Sequence, residues 1–262
     1  MTGGTRPVRV VAVTQSDPFF TARFFEAFLG ERTSDQLELV EIVLLRNFNE
    51  SKTALVRRIF KLYGSVDFMR LLGRYVTAAV SDRIGRPRSV EAVAAQHGVP
   101  VVRLATINDA SYLRTLAARD VEVLLSIAAP EIFRRPALTA VPHVLNVHSG
   151  KLPQYRGMMP TFWALHNGDA RIMVTLHEMV ERLDAGRVIA EFPMDVGVAD
   201  SAFAVAARAK TVAGREVARL LAAIGTPHWP EPRPIAATRA QYHGFPTRRD
   251  ARRLQARGRR LL

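Results

Sequence analysis

The chain contains no cysteine, which excludes disulfides, thiolate zinc sites and a cysteine nucleophile. Lysine is almost as scarce: four of the 37 basic residues, so arginine carries the positive charge. No apolar run approaches the roughly 18 residues of a membrane span, and Val8–Val13, interrupted by Arg9, is too short for a signal-peptide core. A cytoplasmic location with no membrane partner is the expectation. The loop Thr14-Gln15-Ser16-Asp17-Pro18 has no glycine, which removes a dinucleotide fingerprint. There is no internal repeat, and biased composition is confined to a proline- and arginine-rich end.

What is present is enough for one sizeable core: 262 residues, 48% of them hydrophobic. The formal net charge of +13 is unevenly spread. Residues 233–262 hold nine arginines against one acid, Asp250, so they carry +8 and the preceding 232 residues only +5. That placement suits a basic tail laying its arginine stems on the body and argues against a nucleic-acid partner.

Short β-branched runs alternate with helical spacings. Strands are expected at Val8–Thr14, Leu39–Leu45, Val99–Leu104, Val121–Ile127, His143–His148, Ile172–His177 and Val188–Pro193. Helices are expected over Phe19–Leu29, over Ser89–His97 with Ser89 as N-cap and Gly98 as stop, and over Asp109–Arg119. Two more are expected from Pro160 to Asn167-Gly168 and over Asp200–Ile224, with a short helix or turn at Ile132–Thr139. Ser51–Arg88 is longer than a simple crossover needs and reads as an inserted helical layer, with Leu55, Ile59, Leu62, Phe68, Leu71 and Leu72 at helical spacing. The alternation predicts an α/β, Rossmann-like fold: a mostly parallel sheet with helices on both faces. Residues 1–226 would form the catalytic unit. Residues 227–262 would form a Pro/Arg-rich extension that is not an independent domain, with Asp250–Gln255 helical and Tyr242 and Phe245 docking it to the body, covering substrate or meeting a second copy.

Chemistry concentrates in a few places. Asn146 and His148, two apart on a strand, share one face, and a loop with Gly150, Pro153 and Gly157 follows. Thr175-Leu176-His177 ends the next strand, and Leu183-Asp184-Ala185-Gly186 closes the loop after it. An amide, two imidazoles and a carboxylate thus sit at strand ends, where open α/β sheets place their sites. His148, His177 and Asp184 are all ligand types, but no short spacing supports a metal, and none is expected.

Asn146-x-His148, the Leu152-Pro153-x-Tyr155-Arg156-Gly157 loop, Thr175-x-His177 and Leu183-Asp184-x-Gly186, in this order, resemble the 10-formyltetrahydrofolate-dependent formyltransferase family. That family includes methionyl-tRNA, glycinamide ribonucleotide and amino-sugar formyltransferases, and the resemblance covers roughly Val8 to Val196. It implies formyl transfer from 10-formyltetrahydrofolate to a primary amine through a tetrahedral intermediate, with no metal. It also implies catalytic roles. Asn146 would donate to the formyl oxygen, His148 would sit near that oxygen and the moving proton, and Asp184 would charge-couple His148 and relay protons. His177 would shape the aspartate loop.

By the same resemblance the pterin would lie between Ser126–Ile132 and Glu178–Asp184, which nominates Ala128, Ala129, Glu131, Ile132, Glu178, Val180 and Glu181 as folate-binding positions. Pro130, having no N–H, breaks the backbone donor series there. Gln15, Asp17, Lys151, Tyr155 and Arg156 are the acceptor-side candidates. The family loop usually carries Ser-Leu before Leu-Pro, where this chain has Gly150-Lys151 after Ser149. The glycine-free first loop argues against glycinamide ribonucleotide, whose phosphate the family cradles there on glycine N–H groups. The few residues beyond Thr226 do not suffice for the tRNA-binding domain of methionyl-tRNA enzymes. A small amine remains as acceptor: an amino sugar, possibly nucleotide-linked, or a secondary-metabolite amine. A hydrolase releasing formate on the same scaffold, and an RNA-binding protein using the basic end, are the alternatives. A homodimer is compatible with all of these.

Overall fold

The computed structural model describes residues 6–17, 19–31, 35–46, 51–85, 87–235 and 241–262; Pro18 of the first loop lies outside them. In chain order the elements are β1 (Val8–Gln15), α1 (Thr21–Gly30), β2 (Leu37–Leu45), α2 (Lys52–Arg83), α3 (Val90–Gln96), β3 (Val101–Leu104), α4 (Ala110–Ala118), β4 (Val123–Ile127) and α5 (Arg135–Leu138). They continue with β5 (His143–His148), β6 (Arg156–Gly157), α6 (Pro160–Asn167), β7 (Arg171–Glu178), β8 (Val188–Asp195), α7 (Ala202–Leu221), β9 (Tyr242–His243) and α8 (Arg248–Ala256).

Among the described residues, seven strands form one sheet in the order β3-β2-β1-β4-β5-β7-β8. The first five are parallel, while β7 runs antiparallel to both β5 and β8. The central strand shows why helices cover both faces. Val8, Val10 and Ala12 of β1 enter one core, and Val11 and Val13 enter the other, as a period of two demands. The larger core takes Phe24, Phe25 and Phe28 of α1 and the apolar face of α7; the smaller takes Leu113 and Leu116 of α4. Side-chain caps set several helix starts: Ser89 accepts from the Ala92 N–H, Asp109 from Ser111 and Tyr112, and Ser201 from Ala204.

The inserted layer is one helical rod broken at Gly64, whose φ of 75° interrupts α2. The break frees carbonyls, and a distant residue caps them: the Arg248 guanidinium donates to Leu62 O at 2.9 Å and Tyr63 O at 3.0 Å. The C-terminal segment therefore packs on α2, with Arg58 4.4 Å above the Phe245 ring and with Ala251, Leu254 and Leu261 in the larger core. Leu72 faces solvent at 43% exposure, because the face of α2 that meets the body is the one carrying Leu71. One expectation needs correction. The Tyr242 side chain is 67% exposed, and this part of the tail docks through backbone pairing of β9 with β6 and through Trp163 Nε1 donating to Gly244 O.

Helix α7 approaches α1 so closely that a Cβ on Gly214 would stand 2.2 Å from the Phe24 carbonyl oxygen. Replacing an interior helical glycine by alanine ordinarily gains about 1 kcal/mol. Here a backbone oxygen must move, and overpacking of that kind costs roughly 1–3 kcal/mol. Gly214→Ala is therefore expected to lower the urea midpoint; a raised midpoint would show that α1 yields freely.

Candidate active site

The antiparallel register of β5 and β7 sets Asn146 opposite His177 and His148 opposite Thr175. Thr175 Oγ1 donates to Gly150 O at 2.8 Å, tying the start of the following loop to β7. Gly150 is required here: a Cβ would lie 2.5 Å from Pro160 Cβ and 3.2 Å from His148 Nε2. The Gly150-Lys151 departure thus has a steric reason, while Lys151 itself points to solvent.

The hydrogen bonds assign both imidazole tautomers. His148 Nε2 lies 2.6 Å from the Tyr155 carbonyl, and a carbonyl only accepts, so Nε2 carries the proton and the neutral ring keeps its lone pair on Nδ1. His177 Nδ1 donates to Glu178 O at 2.7 Å, which leaves Nε2 to accept from Asn146 Nδ2 at 3.0 Å. One amide hydrogen of Asn146 is thereby fixed and the other is left to donate elsewhere. His177 does more than shape the aspartate loop: it orients Asn146.

Asp184 joins the two rings. Its Oδ1 stands 3.7 Å from His148 Nδ1 and 3.7 Å from His177 Nε2, while Oδ2 accepts the Gly157 N–H at 2.9 Å. Its backbone is left-handed, with φ 48°, and its carbonyl accepts Arg156 Nε at 2.9 Å. Gly186 lets the loop fold back, because a Cβ there would meet the Glu178 carbonyl oxygen at 1.9 Å. All three ionisable side chains are buried. Burial pushes the His148 imidazole below its ordinary value of 6.5, against the opposing pull of Asp184 and the Tyr155 carbonyl. Burial, with His148 adding to it, pushes His177 down to about 4. Both rings are neutral near pH 7, and Asp184 is placed to stabilise a proton arriving on His148 Nδ1.

The remaining nominated residues separate into committed and open groups. Glu131 is held inside its own segment, accepting from Thr106 Oγ1, the Ile107 N–H and Asn108 Nδ2. Glu178 forms a two-point pair with Arg187. Ala128 has φ 52° and is exposed, and Ala129 packs in the smaller core beside Met179. Ile132 and Val180 are bare at 67% and 44%, as is Glu181, and neighbouring Leu183 adds a third exposed apolar group. On the acceptor side, Asp17 Oδ1 accepts the Phe19 and Phe20 N–H groups at the start of α1, and burial raises its carboxyl; Gln15 is half-buried next to it. Tyr155 turns its ring into the body, where the hydroxyl donates to Asp169 at 2.7 Å. Its contribution to the site is its carbonyl. Arg156 is engaged with the aspartate loop.

Sequence reasoning missed Lys210. It lies on α7 within the electrostatic reach of both Asp17 and His148, and burial lowers its ammonium to about 8 against the pull of Asp17. A lysine on the alanine-rich face between Ala209 and Ala213 was the available signal. Among the described residues no group of three potential ligands is placed to hold a metal ion.

Residues 64–221 match the family model described as formyl transferase. A methionyl-tRNA formyltransferase from Anaeromyxobacter dehalogenans is 33% identical over 142 residues, 53% of this chain and 46% of that protein. The chain thus spans about half the length of that curated relative. A sugar N-formyltransferase from a Shewanella species superposes with a TM-score of 0.56 at 13% identity, covering 91% of this chain and 77% of that one. A phosphoribosylglycinamide formyltransferase from Anaplasma phagocytophilum gives 0.55 at 18%, covering 82% and 87%. An N-formyltransferase from Helicobacter canadensis, in complex with folinic acid and dTDP-3-aminofucose, gives 0.53 at 13%, covering 90% and 70%. At these identities the structural likeness establishes the fold.

Two imidazoles held neutral by burial make stability depend on pH with a definite sign. Unfolding returns both to about 6.5, so below that pH the unfolded chain binds protons before the folded one does. Stability is expected to be level above about pH 6.5 and to fall as the pH drops toward 4. Thermal melts at pH 7.5, 6 and 5 should show the decline, shallower in His177→Gln; parallel curves for the two proteins would refute the assignment.

Proposed function

The chain belongs to the formyl transferase family, and from that premise we propose that it moves a formyl group from 10-formyltetrahydrofolate to the primary amine of a small molecule. An amino sugar, nucleotide-linked or free, and the amine of a secondary metabolite are the acceptor classes that suit it. The observation that carries this reading is the convergence of Asn146, His148 and Asp184 through His177: Asn146 Nδ2 meets His177 Nε2 at 3.0 Å, and Asp184 Oδ1 lies 3.7 Å from both rings.

Each group has a task that its hydrogen bonds allow. The uncommitted hydrogen of the Asn146 amide donates to the formyl oxygen as negative charge develops on it. The bare Nδ1 of His148 takes the proton that the amine loses as its nitrogen bonds the formyl carbon, Asp184 stabilises the resulting cation, and the proton passes to the folate nitrogen as its bond to that carbon breaks and tetrahydrofolate leaves. A separation of 3.7 Å is too long for a direct hydrogen bond, so a proton shared between His148 and Asp184 passes through the amine nitrogen or a water. Ile132, Val180 and Leu183, exposed on the two segments assigned to the folate, would cover the pterin, and backbone groups around Ala128, Ala129 and Glu181 would read its edge. Glu131 and Glu178 would act by holding those segments in place. On the acceptor side, Asp17 and Lys210 offer one charge of each sign, and Gln15 adds an amide.

His148→Ala and Asp184→Asn are each expected to lower turnover roughly a hundredfold or more with the melting temperature nearly retained, measured by formyl transfer to a panel of nucleotide-linked amino sugars and simple amines. Near-normal turnover in both variants would dismiss the assigned roles. Formate release at the same rate with no amine present would turn the reading into that of a hydrolase.

A further inference from the structure

Nine of the fourteen large apolar side chains left exposed among the described residues lie on α2 and its C-cap. In the second half of the helix they are ordered: Val66, Met69, Val76, Val80 and Ile84, with Gly73 in the gap, recur every three or four residues. They form a stripe about 27 Å long at 1.5 Å per residue. The stripe points away from the body, opposite Leu71, and holds no charged residue. In the first half, before the Gly64 break, Val56 and Phe60 are also exposed, Phe60 meeting Phe68 edge-on at 5.3 Å.

The charge around the stripe is as uneven as its hydrophobicity. Residues 52–88 contain nine basic side chains and two acids, a net +7, and residues 233–262 carry +8. The rest of the chain therefore sums to −2. These two basic segments, far apart in sequence, are packed against each other through Arg248 on the α2 break and Arg58 on Phe245. The two segments thus meet at the break in α2, next to the half of the helix that carries the stripe.

We propose that α2 and α8 form a docking face for an anionic lipid surface, with the stripe entering the headgroup boundary and the arginines on either side meeting acidic phospholipids. An aliphatic stripe in a cationic frame is the pattern of an interfacial helix. A second copy of the chain would bring two strongly basic faces together. RNA would use the cations but leave Val66, Met69, Val76 and Val80 without a partner, since nucleic acids are gripped by charge and by aromatic stacking. Among the described residues no helix is long and apolar enough to cross a membrane, which leaves open a helix lying on its surface. Helix α2 is also joined to the acceptor side of the site: Tyr75 packs edge-on with Phe19 at 6.4 Å, and Arg74 lies 4.5 Å over Phe203, which itself contacts Phe19. Docking through α2 would therefore hold the Asp17 loop near the lipid surface.

Flotation with vesicles tests this directly and needs no activity assay. The full chain is expected to bind vesicles containing phosphatidylglycerol at least tenfold more tightly than vesicles of phosphatidylcholine alone. Val76→Glu/Val80→Glu, and separately Met69→Gln, should weaken that binding tenfold or more with an unchanged thermal midpoint, because all three positions are exposed. Failure of the unmodified chain to bind phosphatidylglycerol vesicles would overturn the proposal, as would undiminished binding by both variants. So would tighter, salt-sensitive binding to tRNA than to vesicles, or sedimentation as a dimer that Val76→Glu/Val80→Glu dissociates.

Discussion

A buried carboxylate shared between two buried imidazoles is the constraint around which this molecule is arranged. Such a group is costly without partners, and the Gly157 N–H holds one carboxylate oxygen of Asp184 while Arg156 holds its backbone carbonyl. The other oxygen stands 3.7 Å from the unprotonated nitrogens of His148 and His177, placed to attract a proton that arrives on either ring. The left-handed backbone of Asp184 and the absence of a Cβ at Gly186 are what a loop must accept to turn the carboxylate inward. Each tautomer then follows from a backbone carbonyl that can only accept.

The tail contributes to this arrangement from behind. Gln241–His243 pairs with Arg156–Met158, the segment whose Gly157 N–H holds Asp184. A Cβ at Gly157 would meet the His243 carbonyl oxygen at 2.3 Å, so the contact admits only glycine. The arginine-rich end is thus structural on one side, where it closes the break in α2 and backs the catalytic loop. On the other side it faces solvent as a cationic surface.

Polarity is sorted with equal care across the sheet. The two ionisable clusters at the carboxyl ends of the strands differ in kind. Asp184 lies beside His148 and His177, whose imidazoles are both lowered by burial. Asp17 and Lys210 carry opposite charges within electrostatic reach of each other, and burial raises the acid and lowers the base. The first suits chemistry on a carbonyl, and the second suits recognition of an acceptor bearing its own charge.

The sequence by itself determined the alternation of strands and helices, because β-branched runs and 3.6-residue spacings are local signals that no tertiary contact had to supply. It determined Asn146, His148 and Asp184 as a set, because their order and spacing in a family pattern survive in one dimension. It also determined the N-cap Ser89 and the helix starting at Asp109, which depend on neighbours two or three residues away. Only the tertiary structure decided the rest. That His177 orients Asn146 depends on the β5–β7 register, that Tyr155 accepts from His148 through its carbonyl depends on which way its ring turns, and that Lys210 comes within electrostatic reach of Asp17 and His148 depends on the packing of α7 against α1. The two basic segments meet only where Arg248 caps the break at Gly64, through contacts across 185 and 186 positions of the chain. Local patterns specify elements, but the pairing of distant groups is settled by burial and hydrogen-bond satisfaction in the folded whole, where every buried polar atom needs a partner.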